Sequence, residues 1–342
     1  MSEKREFLSK RALIIIGIVS IIVLLLGIIL ILAGLNNSFY ASQSSIQAIF
    51  KGITYLGEPI VFIIITSILY FGYNKKFAKN LVLSLLIATY LNQLFKSIFQ
   101  DPRPAANIDA TEDYGMVETS YGFPSGHTQT AVAFWGYLGC EFKDNTTYKL
   151  KNFTIPIVPV ILSAIIFLVS ISRIIVGVHD LQDIVGGFLI GISVLLLFMY
   201  LEPVVSDKFT NLSFNFKIIL IVTVSISMFL VGTLLFPNAG LGLVTNPVLF
   251  PDSGAFGLFG GVILGFGIGY ILEGEYIKYD PSSLSKKKRL INVVLGIVFL
   301  LAVFVPFEYL LKIDSVFYRF ARYGLASFVL AFIVPLVFKK IN

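Results

Sequence analysis

The chain of 342 residues is 56% hydrophobic and only 13% charged, with a formal net charge of +6. A mean hydropathy of +0.87 excludes an ordinary soluble domain, and the excess charge argues for no nucleic-acid partner because it falls mostly in short loops between apolar runs. The single cysteine, Cys140, excludes an intrachain disulfide and any cysteine-based metal site.

Apolar runs of about twenty residues, the length that crosses roughly 30 Å of hydrocarbon, recur along the chain. They predict about ten spans, at 12–35, 53–73, 79–98, 124–142, 154–172, 182–201, 217–236, 255–273, 290–311 and 320–338. The expected fold class is all-α, a polytopic transmembrane helix bundle. The first run follows a basic segment but is too long for a signal-peptide core and has no convincing cleavage site, so it reads as a retained span. Before the second, Ile46, Ile49, Phe50 and Ile53 recur at helical spacing. That spacing suggests a short interfacial helix, with a plain loop as the alternative. Residues 1–202 hold six spans and every motif, and 203–342 hold four spans as a C-terminal extension. The polar stretch 202–216 is the expected connector.

Loop charge alternates. Lys4, Arg5, Lys10 and Arg11, then Lys75, Lys76 and Lys79, then Lys143, Lys149 and Lys151, then Lys208 and Lys217 fall on one side. Lys278, the run Lys286 to Arg289, and Lys339 with Lys340 fall on it too. By the positive-inside rule that side is cytoplasmic, and both termini with it. Lys96, Arg103 and Arg173 fall on the opposite side, where basic residues need another reason.

Those three cations accompany the only two histidines. Pro124-Ser125-Gly126-His127 opens the fourth span, with proline suited to a first helical turn, glycine allowing close approach, and a helix start that favours an anion. Ser125 can add a hydroxyl donor. The alternative is a helix cap with an interfacial histidine. His179 and Asp183 are four apart and so share a helical face. A carboxylate on one ring nitrogen would fix the tautomer and free the other nitrogen to attack. The alternative there is a capping aspartate beside an interfacial histidine. Arginine clamps phosphate in a planar fork and lysine acts as a point charge. Snorkelling explains single basic residues, but not Arg103, held between Pro102 and Pro104.

Together these residues read Lys-x6-Arg-Pro, Pro-Ser-Gly-His, and Ser-Arg-x5-His-x3-Asp. The pattern resembles the three-part signature of the type-2 phosphatidic acid phosphatase superfamily, over roughly residues 50–202. The resemblance implies that His179 is the nucleophile that becomes phosphohistidine, and that Asp183 orients it. His127 would protonate the leaving group and later help to activate water, while Lys96, Arg103, Ser125, Gly126 and Arg173 hold the phosphate. It implies no metal and no cofactor.

Other residues stay open at this point. The acidic loop 109–115 is a lid or a solvated loop. Glu58 either bonds near the site or has a structural partner. Glu308, Arg319 and Arg322 extend the binding region or pair with one another. Gly257, Gly261, Gly265 and Gly269 form a stripe at four-residue spacing. That stripe predicts a tight helix–helix contact, within the chain or across a homodimer, with the contact inside the chain preferred.

The expected activity is hydrolysis of a phosphorylated lipid or an isoprenoid diphosphate, drawn from the membrane, on the extracytoplasmic face. A glucose-6-phosphatase-like sugar phosphatase and a phosphate transferase would use the same residues. A non-catalytic lipid-phosphate-binding protein or a transporter is the alternative of another class, against which the intact motifs and the clustering of polar groups at one membrane face both weigh.

Overall fold

The computed structural model describes residues 40–101, 103–104, 120–144, 147–150, 153–236, 255–306 and 315–341, with the single positions 18, 22, 25 and 29. The α-helices among them are α1 (Ser44–Thr54), α2 (Pro59–Gly72), α3 (Lys75–Phe99), α4 (Gly126–Glu141), α5 (Ile157–Ile175), α6 (Leu181–Thr210), α7 (Phe214–Leu235), α8 (Ala255–Leu272), α9 (Lys286–Val305), α10 (Val316–Phe328) and α11 (Val334–Ile341). A short antiparallel hairpin, β1 (Thr147–Leu150) with β2 (Phe153–Pro156), precedes α5 and pairs Thr147 with Pro156. The apolar periodicity did not predict it. The fold is all-α and polytopic as expected.

Among the described residues, seven helical segments are long and apolar enough to cross a membrane, and an eighth is a pair, Ser44–Gly57 with Pro59–Gly72, bent by 43°. The expected ten differ for identifiable reasons. The run 12–35 lies outside the described residues, apart from four helical positions. The fourth span is only 16 residues long as α4. The second span contains a break that its hydropathy hid. Pro59 disfavours helical backbone at the residue before it, and Glu58 is extended at φ −80°, ψ 144°. The predicted connector at 202–216 is largely helix, because α6 runs on through Pro203 to Thr210. The chain breaks at 211–213, where the Ser213 hydroxyl caps α7 by accepting from the Phe216 N–H.

The described residues fall into two compact units, one within 1–61 and 87–202 and the other within 62–86, 203–241 and 245–342. Residues 62–86 thus group with the C-terminal part although they precede every motif.

In the first unit, polar groups tie α4 to its neighbours. Gln129 Nε2 donates to the Ala88 carbonyl at 2.8 Å, and Asn92 Nδ2 donates to Gln129 Oε1 at 2.8 Å. Trp135 Nε1 donates to the Leu56 carbonyl at 3.1 Å. A methyl group at Gly187 would lie 2.6 Å from the Ser125 carbonyl oxygen, so only glycine lets α6 pass α4 at this distance.

The second unit packs on glycine and aromatic rings. A methyl at Gly261 would lie 2.2 Å from the Phe320 carbonyl oxygen, and one at Gly265 only 1.8 Å from that of Gly324. A methyl at Gly257 would lie 2.8 Å from the Val316 carbonyl oxygen, and one at Gly269 2.8 Å from the Ala331 Cβ. The stripe therefore makes the expected contact within the chain, against α10 and the turn after it. Phe71 and Phe338 meet edge-to-face at 5.3 Å, with Tyr279 against Phe338 at 5.5 Å. Buried Glu273 pairs with Lys75 and accepts from the Tyr279 N–H at 2.6 Å. Arg322 lies over the Tyr323 ring at 4.7 Å. Glu308 lies outside the described residues.

Candidate active site

α5 ends at Ile175 and Gly177 turns the chain at φ 83°, a conformation that suits glycine. The N–H groups of Val178 and His179 both return to the Arg173 carbonyl, at 3.1 and 3.2 Å. α6 then begins with a reciprocal cap. Asp180 Oδ1 accepts from the Asp183 N–H at 3.2 Å, and Asp183 Oδ2 accepts from the Asp180 N–H at 3.3 Å. That same Asp183 oxygen lies 2.8 Å from His179 Nδ1. Capping and orienting, alternatives on the sequence, are held by one carboxylate.

Arg103 Nη1 lies 2.9 Å from His179 Nε2. A guanidinium only donates, so Nε2 presents its lone pair and the ring hydrogen sits on Nδ1, donated to Asp183. Burial, and then the charges of Arg103, Lys96, Arg173 and His127, hold His179 well below the usual histidine range. The ring is thus neutral, the form with a nucleophilic nitrogen. His179 is 3% exposed and Asp183 0%, so this histidine is enclosed rather than interfacial. Burial also raises the Asp180 and Asp101 carboxyls.

The cations are held by specific acceptors. Arg103 donates through Nε to the Ser120 carbonyl at 2.8 Å and through Nη2 to the Ser120 hydroxyl at 3.0 Å. Its Nη1 also reaches the Val178 carbonyl at 2.6 Å. Lys96, in the last turn of α3, donates to the Tyr121 carbonyl and to that of Gly122 at 3.2 Å. Arg173 is fully buried and donates to Thr54 Oγ1 at 2.8 Å, which removes snorkelling as its explanation.

At the other wall, Ser125 caps α4 and its Oγ accepts from the Thr128 N–H at 3.5 Å. Pro124, after a cis peptide bond, precedes the cap instead of occupying the first helical turn as predicted. Its carbonyl accepts from Asn92 Nδ2 at 3.1 Å, and the Ser125 N–H donates to the Asp183 carbonyl at 2.9 Å. The tetrapeptide and the His179 segment are therefore joined directly. Gly126 stands at the N-terminus of α4, where amide groups and the helix dipole favour an anion. His127 Nε2 lies 3.1 Å from Glu58 Oε1.

Arg103 thus touches His179 directly, the charges of Lys96, Arg173 and His127 depress its basicity without touching it, and Asp183 stands behind it. Among the described residues no three His, Cys, Asp or Glu side chains gather as a metal-binding group. The acidic loop 109–115 lies outside the described residues.

Two family profiles match this chain, the PAP2 superfamily over residues 77–206 and the PAP2 superfamily phosphatase transmembrane extension over 258–342. The chain belongs to the PAP2 superfamily. It is a multi-pass membrane protein. Among its relatives, lipid phosphate phosphatase delta of Arabidopsis thaliana is 25% identical over 171 residues, which cover 48% of this chain and 41% of that protein. Phosphatidylglycerophosphatase B of Bacillus subtilis is 28% identical over 164 residues, covering 45% and 74%. Sphingosine-1-phosphate phosphatase 1 of Mus musculus is 23% identical over 314 residues, covering 84% and 71%. The chain thus spans less than half the length of the plant relative. No solved structure matches.

The residues that support the motif side chains were less visible in the sequence. Ser120 and Thr54 give no signal, since a hydroxyl in either place is unremarkable. Gln47, Asn92 and Gln129 could have been found, because amides inside apolar runs need partners. Gln47 Nε2, for example, donates to the Ile175 carbonyl at 2.9 Å and holds the end of α5.

Proposed function

We propose that this chain is a membrane phosphatase that hydrolyses a lipid phosphate or a polyprenyl diphosphate through a phosphohistidine intermediate, without a metal. The observation that carries this reading is the chain Asp183–His179–Arg103, with a carboxylate 2.8 Å from Nδ1 and a guanidinium 2.9 Å from Nε2. A phosphate placed at Nε2 meets Arg103 at once, with Lys96 and Arg173 to spread the remaining charge.

In the first step the Nε2 lone pair forms a bond to phosphorus and the bond to the leaving oxygen breaks. That oxygen takes a proton from His127, while Asp183 stabilises the charge that appears on the His179 ring. In the second step water attacks the phosphorus, gives a proton to His127, and the P–N bond breaks to release inorganic phosphate. Lys96, Arg103, Arg173, Ser125 and the Gly126 amide hold the phosphoryl oxygens throughout. The basic loops put both termini in the cytoplasm and this site on the extracytoplasmic face. Residues 1–202 then carry the chemistry, and 203–342 form an extension.

The test is phosphate release by purified protein in detergent with EDTA, on a polyprenyl diphosphate, phosphatidic acid, phosphatidylglycerol phosphate and glucose 6-phosphate. Release that persists in EDTA and disappears in His179→Ala is expected, with a lipid preferred. Equal rates in the variant would overturn the scheme, and a preference for glucose 6-phosphate would overturn the lipid assignment.

A further inference from the structure

The last turn of α3 is divided between a charge that is buried and a ring that is not. Lys96 is 4% exposed and donates to the Tyr121 and Gly122 carbonyls, whereas Phe99, at the end of the same helix, is 56% exposed. The two are three residues apart, so they are neighbours on one helical surface. Phe99 also belongs to a series of rings. Phe95 lies 6.2 Å from it along α3, and Phe123 meets it edge-to-face at 5.1 Å.

Phe123 is held beside the site by the site's own bonds. The Gly122 carbonyl before it accepts from Lys96, and the Pro124 carbonyl after it accepts from Asn92 Nδ2 at 3.1 Å. The ring itself lies against Gly186 of α6, where a methyl would fall 2.2 Å from Phe123 Cε2. Gly186 is three residues beyond Asp183, the carboxylate behind His179. One end of the ring series thus stands among the residues that hold phosphate. The other end, Phe99 beside Ile98 at 58% exposure, faces outward from a membrane-spanning helix. A buried cation and an exposed ring within one turn match the two ends of an amphiphile. A phosphate drawn inward to Lys96 and Arg103 leaves its chain beside Phe123 and Phe99.

We infer that Phe95, Phe99 and Phe123 form a subsite for the hydrocarbon tail of the phosphorylated substrate, next to its phosphate-bearing end, with Gly186 leaving room for the Phe123 ring. The tail arrives from hydrocarbon, so the subsite gains packing and orientation rather than exclusion of water. A chain lying along the rings fixes the direction from which the phosphate meets His179. This inference rests on the phosphatase reading above.

The experiment uses two alkyl monophosphates that differ only in the tail, with the full chain in detergent. Dodecyl phosphate is followed as substrate and ethyl phosphate as its competitor, so that the affinity of the short compound is read whether or not it is turned over. Phe99→Ser should lower kcat/KM for dodecyl phosphate roughly fivefold, within the range of one lost ring contact, and should move the inhibition constant of ethyl phosphate by less than about twofold. Phe99→Leu, which keeps an apolar side chain, should fall between the two. An unchanged kcat/KM for dodecyl phosphate would mean that Phe99 meets only bulk lipid. Equal losses on both compounds would mean that it supports the fold of the site. Ethyl phosphate binding the unaltered protein as well as dodecyl phosphate would mean that the tail has no subsite. Each of these overturns the inference. No turnover of dodecyl phosphate by the unaltered protein, nor of any substrate named above, would instead strike the phosphatase reading itself, and the subsite with it.

Discussion

The two units of this protein solve the problem of burial in opposite ways. The first encloses Lys96, Arg173, His179 and Asp183 together with Asn92, Ser125 and Gln129, all at 9% exposure or less. The second fills its interior mainly with Phe71, Phe256, Val334 and Phe338 and brings helices together on glycine. Two of its buried polar residues are paired, Glu273 with Lys75 and Asn292 with Tyr279, whereas Asn80 Oδ1 and Ser84 Oγ have no hydrogen-bond partner among the described residues. Charges are costly at this depth, and the first unit tolerates them because each is held by a named acceptor or donor. On the phosphatase reading proposed above, the polar interior carries the chemistry and the apolar one serves packing.

The sharpest way to test that contrast is Arg173→Lys. The side chain is fully buried and its Nη1 bond to Thr54 fixes the plane of the guanidinium. Lysine keeps the charge and loses the planar fork. Phosphate release should fall roughly 10²-fold, the loss typical of one misplaced donor around a developing oxyanion. Thermal unfolding in detergent should change little. A variant within a few-fold of the parent rate would show that Arg173 is a structural cation, and the division between the units would lose its basis.

How far this division could be read from sequence depends on the kind of interaction. The cations, histidines and Asp183 were legible because charge in an apolar run is conspicuous and because their order matches a family signature. The stripe at Gly257, Gly261, Gly265 and Gly269 was legible because its spacing matches a helical turn. The partner of each was not. Nothing in the sequence pairs Arg103 with Ser120, or Arg173 with Thr54, across 119 residues. The break at Glu58 was hidden because hydropathy continues across it. The pre-proline position was its one local sign. Gly187 and Gly191, which let α6 approach α4, looked like ordinary glycines in a span.

In the second unit the larger expected effect is on stability. Gly265→Leu must push α8 from α10, since even a methyl would lie 1.8 Å from the Gly324 carbonyl oxygen. Overpacking of this kind costs about 2–3 kcal/mol, read as a lower melting temperature. Phosphate release per folded molecule should stay within about twofold. A loss of activity larger than the loss of folded protein would mean that the extension contributes to the chemistry.

The smallest effect isolates one polar set within that apolar interior. The Tyr279 hydroxyl donates to the Phe71 carbonyl at 2.6 Å and accepts from Asn292 Nδ2 at 3.0 Å. Tyr279→Phe keeps the ring against Phe338 but removes both bonds, leaving a buried carbonyl and a buried amide with less than they had. A single intramolecular hydrogen bond contributes about 1 kcal/mol net, and an orphaned partner adds to the cost. The expected loss is therefore about 1–2 kcal/mol, with no change in phosphate release. Asn292→Leu in the same background should return part of it, because replacing both partners by apolar groups relieves the orphan. If the double variant is no better than the single one, the loss in Tyr279→Phe comes from the Phe71 carbonyl and not from the Asn292 amide.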